Sequence, residues 1–184
     1  MSGIEVRRVT ESAWSDIEQL FGRGGASNGC WCQYWLLGAD YHRRVRAENR
    51  RALAAQVRAG QAGLLAYRDG AAVGWARFTP RSELAYLTTR FASYDFGDGD
   101  PWSLSCFFVA SQARGDGVMR TLVDFAAQWG RDQHTAVEGY PIDPAIAGAT
   151  QNRFPGVLPT FLAAGFVEDG RLAKDRAVVK SVVR

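Results

Sequence analysis

The run Ser103–Ala110, "SLSCFFVA", limits the possible folds more than any other stretch. Read as a strand, it puts Leu104, Cys106 and Phe108 on one face and Phe107 and Val109 on the other. Both faces are apolar. Such a strand is buried on both sides, so it belongs in the middle of a sheet covered by helices. It leads into "SQARGDGV", a turn with two glycines, and then into a helical pattern. There Leu122, Phe125, Ala126 and Trp129 follow i, i+3, i+4, i+7 spacing, and Gly130 marks the expected end.

The flanking segments fit the same layered plan. "IEVRRVT" reads as a half-buried strand, and Thr10 is placed to cap a helix carrying Trp14, Ile17 and Phe21. "GRGGASNG" is a break. A second helix is expected over Tyr41–Ala59, with Val45, Leu53 and Val57 inward and Arg43, Arg44, Arg46, Arg50 and Arg51 on a solvated face; Gly60 ends it. "GLLAYRDGAAVGWARFTP" reads as a hairpin turning at Asp69-Gly70, with Trp75 in the core. Beyond the central helix come a short strand in "TAVEGYP", a short helix ending at Gly165 and an alternating tail, "RAVVKSVV". The order predicts one mixed α/β domain, residues 1–184, built on one central sheet.

Composition narrows the function. A formal net charge of +3 is too small to imply nucleic-acid binding by bulk charge. The opening "MSGIEVRRVTES" has no apolar core of a leader peptide, and no apolar run reaches the roughly 20 residues that span a bilayer. Three cysteines do not form a disulfide framework, which suggests a reduced, cytoplasmic protein.

The glycine turn carries the chemistry. Gly115 and Gly117 permit positive φ and a close backbone approach to a ligand. The first amides of the next helix lack helical partners and sit at the positive end of its dipole. Together these suit a diphosphate. The turn matches neither GxGxxG nor the P-loop pattern, which disfavours a dinucleotide fold or an NTPase.

With Val109 five positions before Arg114 and "FLAAGF" following a further strand, this arrangement resembles the GNAT family of N-acetyltransferases. That family carries [Q/R]-x-x-G-x-[G/A] at this turn. Arg114, Gly117 and Met119 give one register, with Met119 in place of a small residue; Gln112, Gly115 and Gly117 fit the pattern literally. Glu138–Pro141 and Phe161–Phe166 also look like a bacterial subgroup. The resemblance implies a mostly antiparallel sheet flanked by helices, an acyl-CoA N-acyltransferase fold. It implies acetyl-CoA as acyl donor, its diphosphate held by the amides of Arg114, Gly115, Asp116, Gly117 and Val118. Pantetheine would pair with the strand near Phe107 and Val109, and the amide of Val109 or its neighbour would polarise the thioester. The acceptor would be a small-molecule or peptide amine; nucleic acid and membrane are not implied, and a homodimer is compatible.

Many members carry a catalytic tyrosine where this chain has Phe161, and an asparagine where it has Phe154. Tyr140 and Glu138 become the candidate proton-transfer groups, with Cys106 behind them; catalysis by positioning alone is the alternative. A sensory acetyl-CoA-binding domain and transfer of a longer acyl chain are the rival functions.

"GCWCQYW" borders the acceptor pocket in this reading, so Trp31, Tyr34 and Trp35 are candidate pocket walls, against plain core packing. Zinc is disfavoured, because C-x-C spacing needs His42 and Cys106 to converge on it and nothing in the sequence demands that. Asp95, Asp98 and Asp100 read as a solvated loop, with steering of a cationic amine as the alternative.

Overall fold

The structure, a computed structural model, describes residues 3–182. Seven strands form one sheet: β1 (Glu5–Arg8), β2 (Gly63–Arg68), β3 (Ala71–Pro80), β4 (Trp102–Val109), β5 (Val137–Gly139), β6 (Phe166–Ala173) and β7 (Arg176–Ser181). Their spatial order is β1-β2-β3-β4-β5-β7-β6, and all pairs are antiparallel except β4–β5. Six α-helices accompany them: α1 (Trp14–Phe21), α2 (Tyr34–Leu37), α3 (Arg46–Arg58), α4 (Ala85–Arg90), α5 (Val118–Asp132) and α6 (Leu158–Ala163).

The central strand is buried on both faces as its composition requires, with one change of register. Arg77 of β3 faces Cys106 while Phe78 faces Leu104, so Ser105 is the extra residue of a bulge. The bulge turns Leu104 to the same side as Phe107 and Val109, against α5, and leaves Cys106 and Phe108 facing α1. Strict alternation would have put Leu104 beside Cys106. The Ser105 carbonyl exposed by the bulge accepts a hydrogen bond from Trp35 Nε1 at 2.8 Å.

Several expected boundaries shift for local reasons. Helix α3 starts at Arg46, because Val45 is extended (φ −63°, ψ 136°) and stands 68% exposed. Its buried stripe is Asn49, Leu53 and Val57, and Asn49 Nδ2 donates to the carbonyls of Gly29 and Tyr41. Thr10 caps nothing; a 3₁₀ turn over Glu11–Ala13 intervenes and the Thr10 hydroxyl meets Ser12. Gly130 does not end α5 but lies inside it. A Cβ there would come within 2.8 Å of Val137 Cγ2 and 2.9 Å of the Thr135 carbonyl, so glycine allows the helix to close on β5. The tail is a hairpin, β6–β7, rather than one strand; Val183, at the end of the expected tail strand, lies outside the described residues.

Candidate active site

The β4–α5 turn is built from backbone. After a 3₁₀ turn over Ser111–Ala113, Gly115 (φ 87°) and Gly117 (φ 81°) take left-handed conformations, and Gly117 is the N-cap of α5. A Cβ on either glycine would meet nothing within 4 Å, so the backbone here is open. The first helical bond runs from Thr121 N–H to the Gly117 carbonyl at 3.0 Å. The N–H groups of Val118, Met119 and Arg120 therefore face outward without helical acceptors. They open on a hollow also lined by Arg114, which brings positive charge, and by Arg120, whose guanidinium is paired with Asp124 at 2.8 Å. The one acidic residue of the turn, Asp116, is neutralised by Arg68 at 2.9 Å.

Next to this turn the sheet splits. β4 and β5 pair over only three residues, Trp102–Leu104 against Val137–Gly139. Beyond Leu104 no strand follows β4 on that side. The Phe107 N–H points into the split and donates to the Phe154 carbonyl at 2.6 Å. Strand alternation turns the Val109 N–H the same way. The Val109 carbonyl accepts from Arg114 Nε at 3.2 Å, tying the strand end to the turn.

On the other face of β4 lies a cavity of about 250 Å³, lined by Cys30, Cys32, Tyr34, Tyr41, Cys106 and Phe154 among others. It includes Ser27, Thr150, Asn152 and Arg176 as polar groups and no aspartate or glutamate. Phe107 and Phe108 also reach its wall, so this cavity and the hollow at the turn share the C-terminal half of β4. Cys32 and Cys106 meet at 3.4 Å between sulfurs, both as free thiols. The contact with Cys32, with burial, raises the Cys106 thiol well above its ordinary value; burial raises Cys30 to about 11. Burial likewise raises the Tyr34 hydroxyl, so these groups keep their protons near neutral pH.

A sequence model of the acetyltransferase (GNAT) family matches residues 30–140, more than half of the chain. The chain belongs to the GNAT acetyltransferase family. Its fold agrees with solved GNAT structures at low identity. A histone acetyltransferase HPA2-related acetyltransferase from Corynebacterium glutamicum shares 19% identity over 100% of this chain and 98% of that one, TM-score 0.62. A mosquito arylalkylamine N-acetyltransferase-like protein shares 11% over 97% and 99%, TM-score 0.60. The PaiA N-acetyltransferase of Thermoplasma acidophilum, solved with coenzyme A, shares 10% over 97% and 98%, TM-score 0.54. No curated protein matches the chain.

Within this GNAT fold the expected site residues divide. Val109, Arg114, Gly115, Gly117 and Val118 line the hollow at the turn together, whereas Asp116 is turned to Arg68 and Phe107 is buried at the cavity wall with its N–H on the Phe154 carbonyl. Tyr34 lines the cavity, whereas Trp31 (6% exposed) and Trp35 (2% exposed) are packed into the core and are not among its lining residues. Trp31 stacks on Trp14 and tilts against Phe21, with ring centroids 6.0 and 5.5 Å apart. The buried Arg77 pins the same segment, donating to the Cys32 carbonyl and to Gln56.

Tyr140 and Glu138 are fully buried and do not line the cavity. The Tyr140 hydroxyl donates to Glu138 and lies 2.9 Å from Ser103 Oγ, while Arg81 approaches the Glu138 carboxylate at 3.3 Å. Burial raises the Glu138 carboxyl above its ordinary value, against the pull of Tyr140 and Arg81; burial and the Glu138 charge raise Tyr140 well above its own. Arg81 also donates to the carbonyls of Phe96, Gly97 and Gly99, and Asp100 accepts from the Ser82 amide and hydroxyl. The acidic loop is thus clasped to the sheet by this network. Phe161 is buried against Gly139, Gly156 and Phe107, away from the cavity.

Sequence reasoning did not single out Arg176, Tyr41 or Thr150. They are brought to the cavity from β7 and two loops. Among the described residues no cluster of three His, Cys, Asp or Glu side chains can hold a metal, and no helix is long and apolar enough to cross a membrane.

Proposed function

We propose that the chain transfers an acetyl group from acetyl-CoA to a primary amine by direct attack on the thioester. One observation carries this: the outward amides of the glycine turn run on into the inward-pointing amides of a β4 strand that β5 has left. Charged oxygens of a diphosphate suit the first, and the amide groups of pantetheine suit the second. Arg114 adds charge that favours a polyanionic donor.

In this reading the Val109 N–H stabilises the oxyanion that forms when the amine adds to the carbonyl, and the Phe107 N–H, two residues along the strand, is left to pair with the donor. The Phe154 carbonyl now bonded to Phe107 gives way to the donor. The amine enters from the cavity on the opposite face of β4. It attacks as the free base, forming a C–N bond; collapse of the intermediate breaks the C–S bond and releases the CoA thiolate. Tyr34, which keeps its proton and lines the cavity, is the hydroxyl placed to protonate that thiolate, and the proton shed by the attacking nitrogen as it becomes the amide restores the hydroxyl. Positioning supplies most of the acceleration, since a thioester is already activated. We take the reaction to be cytoplasmic, a reading supported by three cysteines that remain free thiols.

A panel of amines scored for thiol release from acetyl-CoA tests this. Turnover with a primary amine supports it. Tight binding of acetyl-CoA with no turnover across the panel identifies instead a sensory domain, a reading favoured by Phe161 at the tyrosine position and by the Phe107–Phe154 bond. A longer acyl-CoA that outperforms acetyl-CoA redirects the donor assignment.

A further inference from the structure

Among the described residues that line the cavity one is a cation, Arg176, and it forms no ion pair; the charge of the neighbouring Asp175 reaches it only from beyond contact distance. Arg176 opens β7, and strand alternation turns it to the same face as Val178, away from α5. Its guanidinium lies over the ring of Trp35, 5.2 Å from the centroid. Its one hydrogen bond is a long contact, 3.4 Å, from Nη1 to the Tyr140 carbonyl. Among the described residues no carboxylate lies within ion-pair distance of it. The neighbouring Asp175 accepts instead from the Thr150 amide at 2.7 Å, which anchors the loop that carries Thr150, Asn152 and Phe154 over the cavity.

Arg176 is half-buried, so its guanidinium loses part of its hydration, and a fork that makes only one long bond is suited to grip a carboxylate through two parallel bonds. The aromatic platform of Trp35 fixes the plane of that fork. The remaining wall is aromatic and neutral: Tyr34, Tyr41, Phe154 and Phe108, with Ser27 and Asn152 as small polar groups. The volume, about 250 Å³, lies below the roughly 300–1,000 Å³ of pockets for drug-sized ligands and suits a molecule of amino-acid size. A polycation such as a polyamine has no carboxylate in this lining to meet it and one like charge to repel it.

Resting on the acetyltransferase reading above, we propose that the acceptor is a small amine that also carries a carboxylate, an amino-acid-like molecule, and that Arg176 selects it by binding that carboxylate. Arg176 acts on substrate binding and specificity rather than on the bonds that break.

Matched pairs test this: phenylalanine against phenethylamine, and leucine against isopentylamine, each scored for thiol release from acetyl-CoA. The carboxylate-bearing member should have at least a tenfold higher kcat/KM in the wild-type protein. Arg176→Gln should raise the KM of that member at least tenfold, change its kcat little and leave the decarboxylated amine unaffected. Arg176→Lys should fall between. Equal or better use of the decarboxylated amines, or a loss in Arg176→Gln that is the same for both members, overturns the proposal. The wild-type ratio decides even if the variants fold poorly. If neither kind of amine releases thiol, the acetyltransferase reading fails by itself. Calorimetric titration of the same pairs into CoA-loaded wild-type protein then decides this inference separately: preference for the carboxylate member upholds it, and absence of that preference overturns it.

Discussion

The two sides of β4 are built in different ways. On the proposed donor side, the turn from Arg114 to Arg120 presents main-chain amides, fixed by two left-handed glycines and the start of one helix. On the proposed acceptor side, the cavity is made of side chains from α2 and the turn after it, β4, β7 and the loops before α2 and α6. A backbone site needs only a local conformation, which a short sequence can specify. A side-chain cavity needs several distant segments to meet, and it changes whenever one of its side chains does. In the proposed reading the donor side is therefore the one that can stay constant while the acceptor side sets specificity.

The largest expected break in that contrast comes from removing one amide. Val109→Pro deletes the N–H that points into the split while losing no ladder bond to β3. Thiol-release kinetics should show kcat lower by about 10²–10³-fold with KM changed little, the signature of a lost oxyanion donor. An unchanged kcat would move the oxyanion site elsewhere.

A smaller effect is expected at the buried network. Tyr140→Phe should leave the pH dependence of kcat/KM as it is in the wild type. It should also lower stability by about 1–2 kcal/mol in denaturant unfolding, because Glu138 and Ser103 lose a buried partner. A shifted pH–rate profile would return Tyr140 to the chemistry and blur the division between the two sides.

The smallest effect concerns Glu138. Burial raises its carboxyl above its ordinary value of 4.5, so the native protein binds this proton more readily than the unfolded chain does. Stability linked to the group is full below that ordinary value and falls as pH rises through the raised one. Thermal unfolding midpoints followed upward from about pH 4 should show this decline in the wild type and not in Glu138→Gln. Parallel curves would place the Glu138 proton outside the folding equilibrium.

How much of this was legible in the sequence follows the same division. The central strand, the Asp69-Gly70 hairpin and the glycine turn announce themselves through local pattern, and all three stand where expected. β6 did not, because it is an edge strand whose residues are mostly exposed and leave little alternation to read. The bulge at Ser105 was hidden as well. It depends on how β3 meets β4 and reverses the facing of Leu104 without changing composition. Val45 continues the α3 stripe in sequence, yet the backbone leaves the helix one residue too soon to bury it.

The acceptor cavity was legible only in fragments. Tyr34 was within reach because aromatics cluster around it in sequence. Arg176 carries no local signal, since an arginine at the start of a tail strand looks like any solvated residue. Its meaning comes from Trp35, about 140 residues earlier in the chain, and from the engagement of Asp175 with Thr150. Tyr140 and Glu138 stood out as titratable groups beside the central strand. Only the packing of Arg81 and Ser103 around them shows that they clasp a loop.

The central claim is that the amides between Arg114 and Arg120 grip the diphosphate of coenzyme A, and titration calorimetry on the folded protein tests it most directly. CoA and acetyl-CoA should both bind, because they share that diphosphate. Gly117→Val should bind each about a hundredfold more weakly, since a β-branched residue resists the left-handed conformation at φ 81°. No heat with either ligand at millimolar concentration, or equal affinity in Gly117→Val, would contradict it.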